Sequence, residues 1–421
     1  MKFAFITPRY GADIPGGAEH ACRLLAEQVS ARHEVDVLTT CARNPSTWKN
    51  EYAEGADRVR GVMLRRFAVS QAHDAAGVKQ HTDRILALPR ARSEEIAWAR
   101  RLGPVSNGLL DHLRRQHRSY DVIVFFSLMH ATTVDGAAVA PDRSVIFPHL
   151  TLQPALRFGL WPDLLTSVRA VGLASDAERR LLHDYVGVRP RIEETIGIGI
   201  DPPPQLSYPR HQQDPADALI SDDAAADPVE SEPDYLSLRG VTFRRRHRIY
   251  GSFALYGGRV DSHNGCEEML EYFHSYAEDE EAMPLVLMGV KMMKLPEQRQ
   301  VVLGSVLPDR ERMAAYEAAD VTIAPAADDL LALGALESLA VGTPVLTSAR
   351  NQTAVSHCVK ANAGLPYANR QEFVETLSLL ARNTRLREAL GENGRNYVRQ
   401  QYRWEHVLGR FDRLVSRVRP R

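Results

Sequence analysis

A short apolar strand runs into a glycine-bearing loop and then a helix twice in this chain, first from Lys2 and again from Phe253. Each occurrence opens an alternating series, and a chain that alternates strand and helix in this way folds as a parallel sheet covered by helices. The first series reads Lys2–Thr7, a Pro/Gly loop ending Pro15-Gly16-Gly17, a helix through Cys22, Leu24, Leu25 and Val29, and a strand from Glu34 to Thr39. It continues through strands at 121–126, 144–147, 170–174 and 194–200. The second runs from the strand Phe253–Gly257 through a helix over 266–276 to a strand at 344–347. Two such series predict an α/β protein of two Rossmann-like, doubly wound domains facing a cleft, where open α/β sheets bind ligands.

The boundaries expected are 1–200 for the first domain, 201–250 for a linker, 251–400 for the second domain and 401–421 for a last helix. That helix carries Trp404, Val407, Leu408, Phe411, Leu414, Val415 and Val418 on one face, a 3.6-residue period that has to bury. It is expected to pack back toward the first domain. Within the linker, residues 214–234 hold eight acidic residues and no Lys or Arg, a composition that reads as a loosely packed insertion.

Composition narrows the function classes. With 52 basic against 53 acidic residues the formal net charge is −1, which argues against a chain whose main task is coating nucleic acid. The four cysteines lie far apart with no Cys-x-x-Cys pair, so a zinc knuckle or a disulfide framework is not expected. The apolar start of the chain is short for a signal peptide, and no run approaches the roughly 18 residues of a membrane span. A protein of the cytoplasm is the expectation. An arginine-rich stretch from about 83 to 118 leaves a solvated helix face and a peripheral membrane or anionic-acceptor patch both open.

The chemistry-bearing residues cluster at the loops. Gly16-Gly17 before a helix lets a ligand approach the backbone, or serves only to make the turn. At the head of the second domain, Gly258-Arg259-Val260-Asp261 places a guanidinium where it could grip a diphosphate, or could pair with Asp261. Glu337 stands inside an apolar helix, where a carboxylate is costly to bury unless hydroxyls or other donors reach it; the wet face of the helix is the other reading. Asp329 lies eight positions before it.

Together the two Gly-rich loops, Arg259 and the spaced acids resemble family 4 glycosyltransferases of the GT-B fold. The resemblance rests on Pro15-Gly16-Gly17-Ala18-Glu19, Gly258-Arg259-Val260-Asp261 through Gly265, and Leu336-Glu337-Ser338-Leu339-Ala340-Val341-Gly342-Thr343-Pro344-Val345. It implies a hexosyltransferase that moves a sugar with retention from a nucleotide diphosphate donor to a small molecule or glycan, with no cofactor and no metal. The absence of any Asp-x-Asp agrees with the last point. It further implies donor contacts from Gly258, Arg259, Asn264, Gly334, Glu337 and Lys291, with Glu337 on the ribose. Asp329 and His149 would act near the sugar, and Gly16 and Gly17 would form the acceptor or phosphate loop.

Two positions depart from the family. Asp329 stands where a glutamate opens the acidic pair, and Asn264 stands where a lysine follows the arginine; Lys291 or Lys294 is the candidate substitute. These departures carry a second reading, a catalytically weak or silent GT-B protein that binds a nucleotide or a partner as a scaffold. A dinucleotide-dependent oxidoreductase is disfavoured, because no Gly-x-Gly-x-x-Gly follows a strand with an acid about twenty positions on.

Overall fold

The structure is a computed structural model, and it describes residues 1–14, 16–71, 75–87, 90–200, 207–208, 236–297, 300–304, 306 and 309–418. Pro15 and the acidic run 214–234 lie outside the described residues. By its contacts the chain divides into two compact units. The first comprises Met1–Gly199, Asp328–Ala332 and Gln400–Arg421, and the second Ile200–Ala327 and Leu333–Arg399.

The sheet of the first unit has eight strands: β1 (Lys2–Ile6), β2 (Glu34–Thr40), β3 (Gly55–Val59), β4 (Val62–Phe67), β5 (Val122–Phe126), β6 (Ser144–Phe147), β7 (Ala170–Leu173) and β8 (Glu193–Thr195). Their spatial order is β3-β4-β2-β1-β5-β6-β7-β8, parallel throughout except for the β3–β4 hairpin. Strands covered on both faces need side chains that tolerate burial on both, and Val-Ile-Val-Phe-Phe of β5 is buried at every position. From β1 the chain goes outward to β2 and β4 and then returns to β5, so the strand order reverses at β1 and β5. Their carboxyl ends therefore flank a switch point, where side loops diverge and leave room for a ligand.

The closing helix Trp404–Ser416 belongs to this unit. It buries Trp404, Val407, Leu408, Phe411, Leu414 and Val415. Phe411 packs against Phe3 and Phe5 of β1 and Phe147 of β6, with ring centroids 5.7, 6.2 and 6.5 Å away. In the stretch 83–118 the arginines are largely paired. Arg90 and Arg92 converge on the buried Glu95, whose carboxylate also accepts the Gly159 and Leu160 N–H groups. Arg100 holds Asp135 at 2.9 Å, and Arg114 holds Asp111 at 3.0 Å.

A two-residue pair, β9 (Ser207–Tyr208) and β10 (Leu236–Ser237), precedes the second sheet. That sheet contains β11 (Ala254–Gly257), β12 (Leu285–Met288), β13 (Val301–Leu303), β14 (Val321–Ala324), β15 (Val345–Ser348) and β16 (Gly364–Tyr367). They are parallel, in the order β13-β12-β11-β14-β15-β16, which puts its switch point at β11 and β14. The helix Leu238–His247, in the stretch read from the sequence as linker, packs on the helix Asp309–Ala318. Among the described residues no helix is long and apolar enough to cross a membrane.

Candidate functional site

The loop after β11 is built to hold still. Gly258 N–H donates to Met288 O at 2.9 Å, Val260 N–H to Val290 O at 2.9 Å, and Met292 N–H to Val260 O at 2.9 Å. The loop thus pairs with the segment beyond β12. Lys291, bridged to Val260, rides on that paired segment with its side chain exposed. The Arg259 carbonyl is held by the Tyr256 hydroxyl at 2.8 Å and the Asn264 amide at 3.1 Å. Two glycines are required by contact. A Cβ on Gly289 would lie 1.7 Å from Gly258 O, and one on Gly265, whose φ is +73°, would lie 2.6 Å from Pro325 O.

Asn264 has a structural task in this loop. Besides gripping the Arg259 carbonyl, its amide donates to Asp261 Oδ1 at 2.9 Å, and its backbone N–H donates to the same oxygen at 2.8 Å. Arg259 itself pairs with Asp261 and remains half exposed. Burial alone would raise the Asp261 carboxyl; the Asn264 N–H and the Arg259 guanidinium outweigh it and hold the group below its ordinary range.

Between these strand ends lies a pocket of about 200 Å³. Its walls include Gly258, Arg259, Gly289, Val290, Arg312 and Tyr316, all within the second unit. Arg312 escapes a reading by sequence. It sits on the helix Asp309–Ala318 three and four residues before the buried Ala315 and Tyr316, so the same helix face carries all three toward the pocket. Its guanidinium meets Glu337 side-on, Nε to Oε2 at 2.8 Å and Nη2 to Oε1 at 2.5 Å. Glu337 is 5% exposed, which excludes the wet-face reading, and this bidentate pair is what lets a carboxylate sit among Leu336, Leu339 and Ala340. Gly334 adjoins the pocket as well, since a Cβ there would stand 2.9 Å from the Tyr316 hydroxyl.

The remaining candidate residues fall in the first unit. Asp329 Oδ1 accepts the Ala332 N–H at 2.9 Å, so its carboxylate caps its own loop, and burial pushes its pKa up. His149 follows β6 with φ +51° and its Nδ1 lies 3.0 Å from Phe147 O. Burial lowers its pKa to about 4, leaving the imidazole neutral near pH 7. The turn is anchored by Glu178, a buried carboxylate that accepts from Leu150 N–H at 2.8 Å and Ala174 N–H at 2.6 Å. At the end of β1, Arg9 donates twice to Glu19 Oε1, at 2.9 and 2.6 Å. Gly16 makes room for that pair, because a Cβ there would lie 2.3 Å from Glu19 Oε2; among the described residues nothing lies within 4 Å of a Cβ on Gly17.

Residues 243–397, most of the second unit, match the family model described as glycosyl transferases group 1. Solved structures match the whole chain. Sucrose-phosphate synthase from Thermosynechococcus elongatus is 16% identical with a TM-score of 0.65, covering 99% of this chain and 98% of that one. Anabaena HepE in complex with UDP is 14% identical with a TM-score of 0.66, covering 99% and 100%. WaaG, described as a glycosyltransferase involved in lipopolysaccharide biosynthesis, is 18% identical with a TM-score of 0.60, covering 98% and 99%. The fold is GT-B. Comparison with curated proteins finds no match. In this GT-B chain, then, the segment matching the glycosyl transferase family contains Arg259, Asn264, Lys291, Arg312, Gly334 and Glu337; Gly258, Arg259 and Arg312 border the pocket at the ends of β11 and β12, and Lys291 lies on the segment beyond β12.

Proposed function

We propose that this chain is a glycosyltransferase of family 4 type that transfers a hexose, with retention and without a metal, from a nucleotide diphosphate donor to a small-molecule or glycan acceptor in the cytoplasm. The observation that carries the reading is the pocket at the ends of β11 and β12, where Arg259 and Arg312 line a wall that glycines keep open to backbone approach. As the bond from the anomeric carbon to the diphosphate oxygen breaks, charge develops on that oxygen. Fixed guanidinium groups and loop N–H groups are suited to stabilising it. Glu337, held by Arg312, is the carboxylate proposed for the donor ribose. Asp329 and a neutral His149 are the groups proposed to act beside the sugar, and Gly16 and Gly17 the backbone proposed for the acceptor.

A second reading, a nucleotide-binding scaffold, draws on Asn264. Its amide is spent on the loop, leaving that position without a cation, and Arg259 is already paired with Asp261.

The enzyme reading and the nucleotide-binding form of the scaffold reading both require nucleotide binding, whereas a partner-binding scaffold does not. A nucleoside diphosphate among UDP, GDP, ADP and TDP at millimolar concentration should raise the melting temperature, with the shift growing with ligand concentration. Arg259→Ala should weaken that binding about tenfold by removing one charge-assisted contact. If all four nucleotides leave melting unchanged, the donor site is misassigned.

A further inference from the structure

Just beyond the carboxyl ends of β5 and β6 the backbone is held in a conformation it would not keep unaided. Ser127 and His149, neither of them glycine, have φ +73° and +51°. Such residues persist where their surroundings over-determine them. Two sets of bonds do so here. From β5, Ser127 N–H donates to Phe147 O and Leu128 N–H to Pro148 O, each at 2.9 Å. From the other side comes Glu178, placed on the helix Asp176–Arg180 by the Ser175 cap, whose Oγ accepts the Glu178 N–H at 3.1 Å. Its carboxylate reaches out of that helix and accepts the N–H groups of His149, Leu150 and Ala174, tying the turn after β6 to the end of β7.

Those donors suit an anion. A protonated carboxyl turns one oxygen into a donor facing an N–H, so at least one of the bonds to the turn is lost on protonation. Glu178 is 1% exposed, and burial raises its pKa to about 7 against the pull of the three N–H groups. The charged side chains on the elements around it are engaged with other partners: Asp176 with Arg179 at 3.3 Å, Glu193 with His183 at 2.8 Å, and Arg157 over the Tyr185 ring. The imidazole of His149 is the group that feels the change. Its Nδ1 lies 3.0 Å from Phe147 O, and a carbonyl only accepts, so Nδ1 carries the proton of the neutral ring and Nε2 is left with a lone pair.

We propose that Glu178 is a positioning residue for His149: as the anion it clamps the turn so that Nδ1–H stays on the Phe147 carbonyl and Nε2 is offered as an acceptor for a hydroxyl. The effect on turnover rests on the glycosyltransferase reading, in which His149 acts beside the donor sugar; the clamp itself does not. Protonating Glu178 loosens the turn while the imidazole is still neutral, because the ring's own pKa is lowered to about 4. The tautomer of His149 therefore answers to a proton on another residue.

NMR of the full chain labelled with nitrogen-15 histidine tests this, the His149 signals being identified by their loss in His149→Gln. At about pH 8 the ring nitrogens should report the Nδ1–H tautomer. Down to about pH 5.5 they should move toward a mixture of neutral tautomers, with a midpoint near 7 and no imidazolium signature. Glu178→Gln, of the same shape without the charge, should show the mixture throughout and no midpoint. The parent titration decides the matter even if that variant does not fold. A His149 that holds one tautomer unchanged over this range overturns the clamp, as does a Glu178→Gln protein that titrates like the parent. Turnover is the second readout: nucleoside diphosphate release from UDP-glucose, GDP-mannose, ADP-glucose or TDP-glucose should fall about tenfold in kcat in Glu178→Gln, with KM little changed. A tautomer that follows Glu178, with release from none of the four donors, keeps the clamp and removes the glycosyltransferase reading. Equal release by parent and variant overturns the positioning role in the reaction.

Discussion

Arg312→Ala should lower the melting temperature of the protein by about 5–10 °C and abolish nucleotide binding at concentrations that saturate the parent. The variant leaves Glu337 buried among apolar side chains with the bidentate partner removed. Breaking a buried pair from one side costs about 3–5 kcal/mol in well-buried cases; Arg312 is a third exposed, which lowers the expectation to about 2–3 kcal/mol. In a unit of this size each kcal/mol moves the midpoint by about 2–4 °C. Combining Arg312→Ala with Glu337→Met removes the stranded charge, so stability should recover while binding stays lost. Recovery of both would mean that Arg312 serves only to neutralise Glu337. An Arg312→Ala protein that melts like the parent would mean that the pair contributes little to the fold.

Gly289→Ala should be the most damaging single methyl in the second unit. Its Cβ would stand 1.7 Å from the carbonyl oxygen of Gly258, a backbone atom of a residue whose N–H is tied to Met288 O, so no rotamer change relieves the clash. The β11 loop must move off β12, at a cost of about 2–4 kcal/mol, and the arginine on that loop moves with it. Gly251→Ala provides the contrast. Gly251 also has a positive φ, +77°, but among the described residues nothing lies within 4 Å of an added Cβ, so only backbone strain of about 1 kcal/mol is expected. Thermal melts of both variants, with nucleotide titrated into each, distinguish a displaced loop from a merely strained one.

The architecture is legible in the residues because its causes are local. Buried parallel strands must be apolar along their whole length, as β5 is, and the last helix repeats its apolar residues every three or four positions. Glycines such as Gly265 betray the loop because few side chains tolerate their backbone angles. The side-chain partners are a different matter. Arg259 before Asp261 is compatible with a diphosphate or with its neighbour, and spacing does not decide between them. Asn264 occupies the place where the family resemblance expects a cation, but its amide is a loop fastener, which only the positions of the Arg259 carbonyl and Asp261 reveal. Arg312 and Glu337 are 25 positions apart on different helices, and their pairing is a product of tertiary packing. The single trace in the sequence is the register of Arg312 with Ala315 and Tyr316.

The central claim is that the β11–β12 pocket holds a nucleotide sugar and that the chain breaks its bond to the diphosphate. The most direct measurement is the release of nucleoside diphosphate on incubation with UDP-glucose, GDP-mannose, ADP-glucose and TDP-glucose, with the parent and Arg312→Ala/Glu337→Met proteins side by side. The account predicts slow release from at least one donor by the parent and none above background by the double variant. Nucleotide that binds without release would contradict catalysis and leave the scaffold reading, and equal release by the two proteins would place the chemistry outside this pocket.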